Sequence, residues 1–231
     1  MNSGKSAFAQ LMSYVPWYKF EKCVKRYNGN YKVQSFTCRQ QFLVMCFAHP
    51  TSRESLRDIE ACLNAVPEKL YHSGIRQLIK RSALADANEN RDWRIFADFA
   101  QVLMPEARSL YVHDNDFMVN LKNMAYAFDT TSIELCLNLF PWAKFRKNKG
   151  AVRAHTLLDL RGSIPTFIKL RDGMCHEVNA LYDLVFEPGT FYIMDRAFVA
   201  FDRLYRIDQS EAFFVPEVSL ICSLVESHPE K

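Results

Sequence analysis

The sequence predicts an α+β protein, on three observations. From residue 6 to about 108, apolar side chains recur at spacings of three and four, as in SAFAQLMSYV, FEKCVKRY, RQQFLVMCFA and LRDIEACLNAV, the period of amphipathic helices. After Pro105 the pattern changes to short runs rich in β-branched and aromatic residues, bounded by turn residues. The helical pattern is segregated into the first part of the chain, so a helical domain is expected to precede a sheet-bearing one.

Within the helical part, Pro16, the Asn28-Gly29-Asn30 turn, Pro50, Pro67 and Gly74 mark joints between short helices. Thr51 or Ser52 before Arg53-Glu54 offers an N-cap for the next helix. Residues 52–65 and 82–88 form a candidate helix-turn-helix pair, the second helix flanked by Lys80 and Arg81 for phosphates. A longer helix is expected over about 92–107, with Ile95, Phe96, Phe99, Val102 and Leu103 on one side. Strands follow at 123–128, in AHTLLDL and PTFIKLRD joined by Arg161-Gly162-Ser163, in TFYIMD, and at 212–215; helices are expected at 176–185 and 201–209. That order is the one found in a ribonuclease H-like sheet, and it also suits other α/β folds. The expected divisions are 1–90 (helical, DNA-binding), 91–108 (linking helix), 109–215 (sheet domain) and 216–231, a tail that does not continue the pattern.

Composition supports a globular chain. Of the 231 residues, 49% are apolar and 13% aromatic, enough for a sizeable core. The longest apolar runs, such as FLVMCFA, fall far short of the roughly 20 residues that cross a bilayer, and no signal-peptide pattern opens the chain. The expected location is cytoplasmic. The seven cysteines, Cys23, Cys38, Cys46, Cys62, Cys136, Cys175 and Cys222, show no C-x-x-C pair and read as free, mostly buried thiols.

Two aspartates carry the candidate chemistry. Asp129 follows Tyr126-Ala127-Phe128 and Asp195 follows Phe191-Tyr192-Ile193-Met194, each at the end of an apolar run that reads as a buried strand. Side by side, two such carboxylates can share a divalent cation such as Mg2+ that activates water or a hydroxyl against a phosphodiester. A lone Asp at a strand end is more often a cap or turn residue. Between the two lies PWAKFRKNKG, in a stretch from Leu135 to Leu158 with no acid; Lys144, Arg146, Lys147, Lys149 and Arg153 are candidate phosphate contacts. Arg196 is a further one. Residues 1–40 hold a second basic excess: Lys5, Lys19, Lys22, Lys25, Arg26, Lys32 and Arg39 against Glu21. His176-Glu177 reads as a surface helix start, and Asp114 and Asp116 as loop acids.

The run FDTTSIELCLNLFPWAKFRKNKGAVRAHTLLDLRG, with IPTFIKLRDG and TFYIMDRAF, resembles the catalytic core of DDE transposases of the insertion sequence four family, and the helical part resembles the N-terminal region that accompanies it. The resemblance spans almost all of residues 1–215. It implies a ribonuclease H-like α/β catalytic domain, incomplete over 109–215, with Mg2+ or Mn2+ as cofactor. It also implies DNA partners (element inverted repeats and target DNA), possible homo-oligomers on DNA, a bacterial cell with the protein on the nucleoid when DNA-bound, and metal-dependent cleavage and strand transfer at element ends. Asp129 matches the family's first catalytic acid; Asp195, followed by Ala197 and Phe198, matches the second. The third, in a Y-x2-R-x3-E-x6-K signature, has no counterpart: three residues beyond Tyr182 is Val185, and beyond Tyr205 is Asp208. The expectation is a truncated, inactive or nearly inactive transposase that leaves apolar surface exposed on one sheet face. The other readings are a DNA-binding regulator that competes with the full-length enzyme, and a remnant without a role.

If the five cations from Lys144 to Arg153 each neutralise a phosphate, log K for DNA should fall against log salt with a slope of about −4.5. Fluorescence anisotropy on duplex DNA measures it, and a slope near zero would remove that role.

Overall fold

The computed structural model describes residues 6–65, 67–111, 123–135, 144–146, 149–173 and 177–216, in two compact units, Met1–Val102 and Leu103–Lys231. The chain is α+β, with helices first and a mixed sheet second.

The first unit is built on α1 (Ala7–Ser13), α2 (Trp17–Arg26), α3 (Cys38–Ala48), α4 (Leu56–Ala65), the single turn α5 (Pro67–Leu70) and α6 (Arg81–Asn90). Its centre is α3. That helix opens with a capping box: the Gln40 backbone N–H donates to Thr37 Oγ1 at 3.3 Å while the Thr37 N–H donates to Gln40 Oε1 at 2.8 Å. Leu43, Val44, Phe47 and Ala48 are all buried, and a helix apolar on nearly every side belongs inside a bundle. Its one buried polar side chain, Gln41, donates to Asn88 Oδ1 at 2.6 Å and accepts from Arg91 Nη1 at 2.8 Å, so its amide does not go unpaired in the core. Phe20 of α2, fully buried, meets Trp17, Phe42 and Phe99 with ring centroids 5.0–5.9 Å apart.

One joint differs from expectation, and two others lie where Pro67 and the Asn28-Gly29-Asn30 turn mark them. The N-cap of α4 is Ser55, whose Oγ accepts from the Asp58 N–H at 3.1 Å. Thr51 instead donates backwards to the Phe47 carbonyl at 2.7 Å, closing the end of α3, and Ser52 adopts a φ of 52° that no N-cap uses. Pro67 begins the turn α5, the helical position where a missing N–H costs least. Gly29 lies where the chain passes closest to its own core: a Cβ there would sit 2.4 Å from Ile95 Cδ1 and 2.7 Å from Cys38 Sγ. Its neighbour Asn30 accepts from the Cys38 N–H at 2.8 Å.

The boundary between the units falls within α7 (Arg94–Tyr111). This helix runs through Pro105, as the expected span of about 92–107 implies, and continues to Tyr111. Proline lacks the N–H for one helical bond but its φ is already helical, and Ala107, Arg108 and Leu110 beyond it favour helix.

In the second unit the strands are β1 (Ala125–Leu135), β2 (Lys144–Arg146), β3 (Lys149–Asp159), β4 (Ile164–Asp172), β5 (Phe191–Met194) and β6 (Phe213–Pro216). Their order is β2-β3-β1-β5-β6, with β4 also paired to β3. Strand β3 is antiparallel to β1, β2 and β4, whereas β1, β5 and β6 run parallel. Buried Tyr126, Phe128, Leu157, Tyr192 and Met194 line one face, covered by Leu181, Leu184, Phe198 and Ile207. The last comes from α8 (Phe201–Gln209), which has the bounds expected. On the other face Ile133 and Leu170 are 47% exposed and Phe213 is 50% exposed.

Two sequence expectations are corrected. The helix expected over 176–185 is a 3₁₀ segment, Glu177–Asp183. Three residues per turn stack Leu181 and Leu184 toward the sheet, and Asp183 accepts from Lys169 Nζ of β4 at 2.9 Å. The first strand does not stop at Phe128 but continues to Leu135. The alternating, β-branched sequence TTSIEL keeps pairing with β3.

Cys23, Cys38, Cys46 and Cys62 are free, and burial pushes the Cys46 thiol up to about 11; Cys136, Cys175 and Cys222 lie outside the described residues. Among the described residues no helix is long and apolar enough to cross a membrane.

Gly29→Ala should destabilise the first unit by about 1–3 kcal/mol, read as a lower urea midpoint with unchanged slope. An unaltered midpoint would show that Ile95 and Cys38 make room.

Candidate active site

Parallel pairing of β1 with β5 aligns Ala125 with Phe191, Tyr126 with Tyr192, Ala127 with Ile193 and Phe128 with Met194. The next residues are Asp129 and Asp195. Side chains alternate across a sheet whose strands lie about 4.8 Å apart, so the two carboxylates stand at the same level, on the same face, on neighbouring strands. Both are exposed. Asp129 remains inside β1, opposite Thr156 of β3, and so is not a strand end; it marks the end of the parallel ladder alone. Asp195 leaves β5 and caps the 3₁₀ turn Arg196–Phe198, its Oδ1 accepting from the Ala197 N–H at 2.8 Å. Asp129 Oδ2 accepts from Thr131 Oγ1 at 3.5 Å. Each carboxylate thus keeps an oxygen outside these bonds, and two oxygen donors of this kind suit a hard divalent cation. Among the described residues no group of three or more His, Cys, Asp and Glu side chains is gathered as a metal site would require.

One residue on, the opposite sheet face is locked. Thr130 Oγ1 lies 2.8 Å from Nδ1 of fully buried His155, whose ring stacks on Phe128 at 6.3 Å and 5°. The carboxylate-bearing strand is therefore held on its inner side directly before and after Asp129.

The other end of the same two strands is held by a polar cluster that the sequence reading missed. Arg108 of α7 hydrogen-bonds Tyr126 Oη and lies 3.4 Å from Oδ2 of Asp159, which is only 4% exposed. Tyr126 Oη donates to Glu187 Oε2 at 3.3 Å, and the Glu187 N–H donates to Tyr192 Oη at 2.9 Å. Burial pushes both phenols above their ordinary range, which keeps them protonated. The signal for this cluster was parity: His155, Leu157 and Asp159 share the inward face of β3, and an acid there requires a partner.

The basic candidates are placed less tightly. Lys144 and Arg146 lie on β2, with Arg146 opposite Lys149; this hairpin is beside Leu135, six residues along β1 from Asp129, or roughly 20 Å. Lys147 lies outside the described residues. Half-buried Arg153 is opposite Ser132, on the face away from Asp129. Arg196 is exposed, next to Asp195. Asp114, Asp116 and His176 lie outside the described residues, and Glu177 opens the 3₁₀ segment.

A protein-family profile described as a domain of unknown function, DUF4372, matches residues 3–76, the stretch that holds α1 to α5. That domain is found in transposase-like proteins. No curated protein matches the chain.

Arg108→Ala would leave Asp159 buried without its cation and should cost about 2 kcal/mol, below the loss for a fully buried pair because Arg108 is partly solvated. Urea denaturation of the variant tests this, and a change under about 0.5 kcal/mol would show that Arg108 does not anchor the sheet.

Proposed function

We propose that the second unit is a ribonuclease H-like domain of a DDE transposase of the insertion sequence four family, and that the chain acts on the DNA ends of an insertion element. The observation that carries this reading is the β1–β5 register, which brings Asp129 and Asp195 to one level. The strand order supports it: from β4 through β3, β1 and β5 to β6, β3 alone runs opposite to the rest. So does the DUF4372 match in the first unit.

In this reading Asp129 and Asp195 would hold Mg2+ or Mn2+, which when bound supplies Lewis-acid activation of the attacking and leaving oxygens. The chain's own residues do the positioning. Tyr126, Tyr192 and Arg108 hold the strands at one end, and the Ala197 N–H orients the Asp195 carboxylate at the other. Lys144, Arg146 and Lys149 would bind the DNA backbone, roughly six base-pair steps from the carboxylates at the rise of a duplex. The chemistry proposed is hydrolysis of a phosphodiester at the element end, followed by attack of the freed 3′-hydroxyl on target DNA. The signature that supplies the family's third acid has no counterpart in this sequence, so the reading extends here only to metal holding by Asp129 and Asp195.

Titration with Mn2+, followed by calorimetry, is the direct test. Asp129→Asn and Asp195→Asn should each weaken binding by about tenfold or more, since each removes one of two charged ligands. Equal affinity in all three proteins would sink the metal-site reading. Mg2+-dependent cleavage of inverted-repeat DNA that vanishes in Asp129→Ala would show a complete catalytic site, against the expected inactivity.

A further inference from the structure

The outward side of α2 is almost entirely cationic. At about 100° per residue, Phe20, Cys23 and Val24 form the inward stripe, with exposures of 0%, 4% and 2%. Tyr18, Lys19, Lys22, Lys25 and Arg26 are exposed, and their spacings of three and four place them on one surface. The only acid of the helix, Glu21, is half-buried to one side.

Packing does not require this arrangement. Lys19 with Lys22, Lys22 with Lys25, and Lys22 with Arg26 are like-charge neighbours, each unfavourable by roughly 0.2–0.5 kcal/mol in a helix. Lys19 also lies in the first turn, where the helix dipole disfavours a cation. Arg26 is also paired with Asp98. Lys22 stands 4.4 Å over the Tyr18 ring, which is 73% exposed, giving the stripe an aromatic element alongside its charges. Arg39 extends the positive surface past the start of the helix, 4.2 Å over the Trp17 ring.

The helix pair expected to read DNA has the opposite character. α4 and α6 do pack together, but α6 exposes Asp86 and Glu89, and the Arg81 backbone N–H donates to Glu60 Oε1 at 2.9 Å. Phosphates would meet acids on that surface. A membrane is also a poor fit to α2, because an interfacial helix must offer its apolar side to lipid and that side is consumed by the core.

We propose that the outward face of α2, through Lys19, Lys22 and Lys25 with Tyr18 beside them, binds the phosphodiester backbone of duplex DNA. Lys19 to Lys25 spans roughly 9 Å along the helix, about three successive phosphates of one strand. The choice of DNA as the polyanion rests on the transposase reading; the surface itself does not. Contacts of this kind carry charge rather than sequence information, so they would hold the first unit on DNA without selecting a site.

The test is fluorescence anisotropy of the full chain on a labelled duplex, with EDTA present and salt varied. K19A/K22A/K25A should reduce the log-log salt slope by about 2.7 and weaken low-salt binding about tenfold or more, while K80A/R81A should leave the slope unchanged. Circular dichroism checks the fold, and K19Q/K22Q/K25Q serves if the alanine variant does not fold. An unchanged slope in the triple variant, a loss confined to K80A/R81A, preference for phosphatidylserine vesicles over the duplex, or no duplex binding by the wild type would each overturn the proposal. EDTA removes any metal from this assay, so its outcome is separate from that of the Mn2+ titration at Asp129 and Asp195.

Discussion

The parallel pairing of β1 with β5 is the constraint on which the second unit depends. Four residue pairs, from Ala125 with Phe191 to Phe128 with Met194, set the level of everything beyond them. A shift of one residue would place Asp195 beside Phe128 and turn one carboxylate toward the core, because side chains alternate strictly across a sheet. Two devices oppose such a slip. Tyr126 and Tyr192, side by side and buried, have their hydroxyls tied to Arg108 and Glu187, and Phe128 is trapped between His155 and Phe198. The apolar contacts fix which face is buried, and the polar ones fix the height.

The first unit reaches order by a different route. Its helices are short, and isolated helices of seven to eleven residues are marginal in water. Stability must come from burial against α3, and direction from a few polar contacts. Arg91 illustrates this: it donates to the Thr37 carbonyl and to Gln41 Oε1, joining the end of α6 to both the cap and the body of α3. Burial holds its guanidinium below the usual range, but a group of such high basicity remains charged. Glycine 29 completes the arrangement by letting the chain pass where no side chain fits.

Legibility in the sequence followed the range of the interactions. Elements set by local periodicity, such as α8 and β4, have nearly the expected bounds, whereas β3 begins at Lys149, five residues before the expected AHTLLDL. Errors gathered where distant partners decide. The extension of β1 beyond Asp129 depends on pairing with β3; the β-branched residues of TTSIEL suit a strand, but the polar ones among them made the run read as a turn. Helix α7 was expected to end near Ala107 and continues to Tyr111. The buried cluster of Arg108, Tyr126, Asp159 and Glu187 joins residues far apart in the chain, and only the parity of Asp159 hinted at it.

By itself the sequence determined the segregation of helix from sheet, the presence of two aspartates after apolar runs, and the basic excess in residues 1–40 and 144–153. These are properties of neighbours along the chain, decided by propensity, period and composition. Only the tertiary structure decided that Asp129 and Asp195 share a level and a face, since this depends on register between strands more than sixty residues apart. It also decided which cations count. The lysines of α2 form a surface because Phe20, Cys23 and Val24 are drawn into the core, leaving the charges no other side of the helix to occupy.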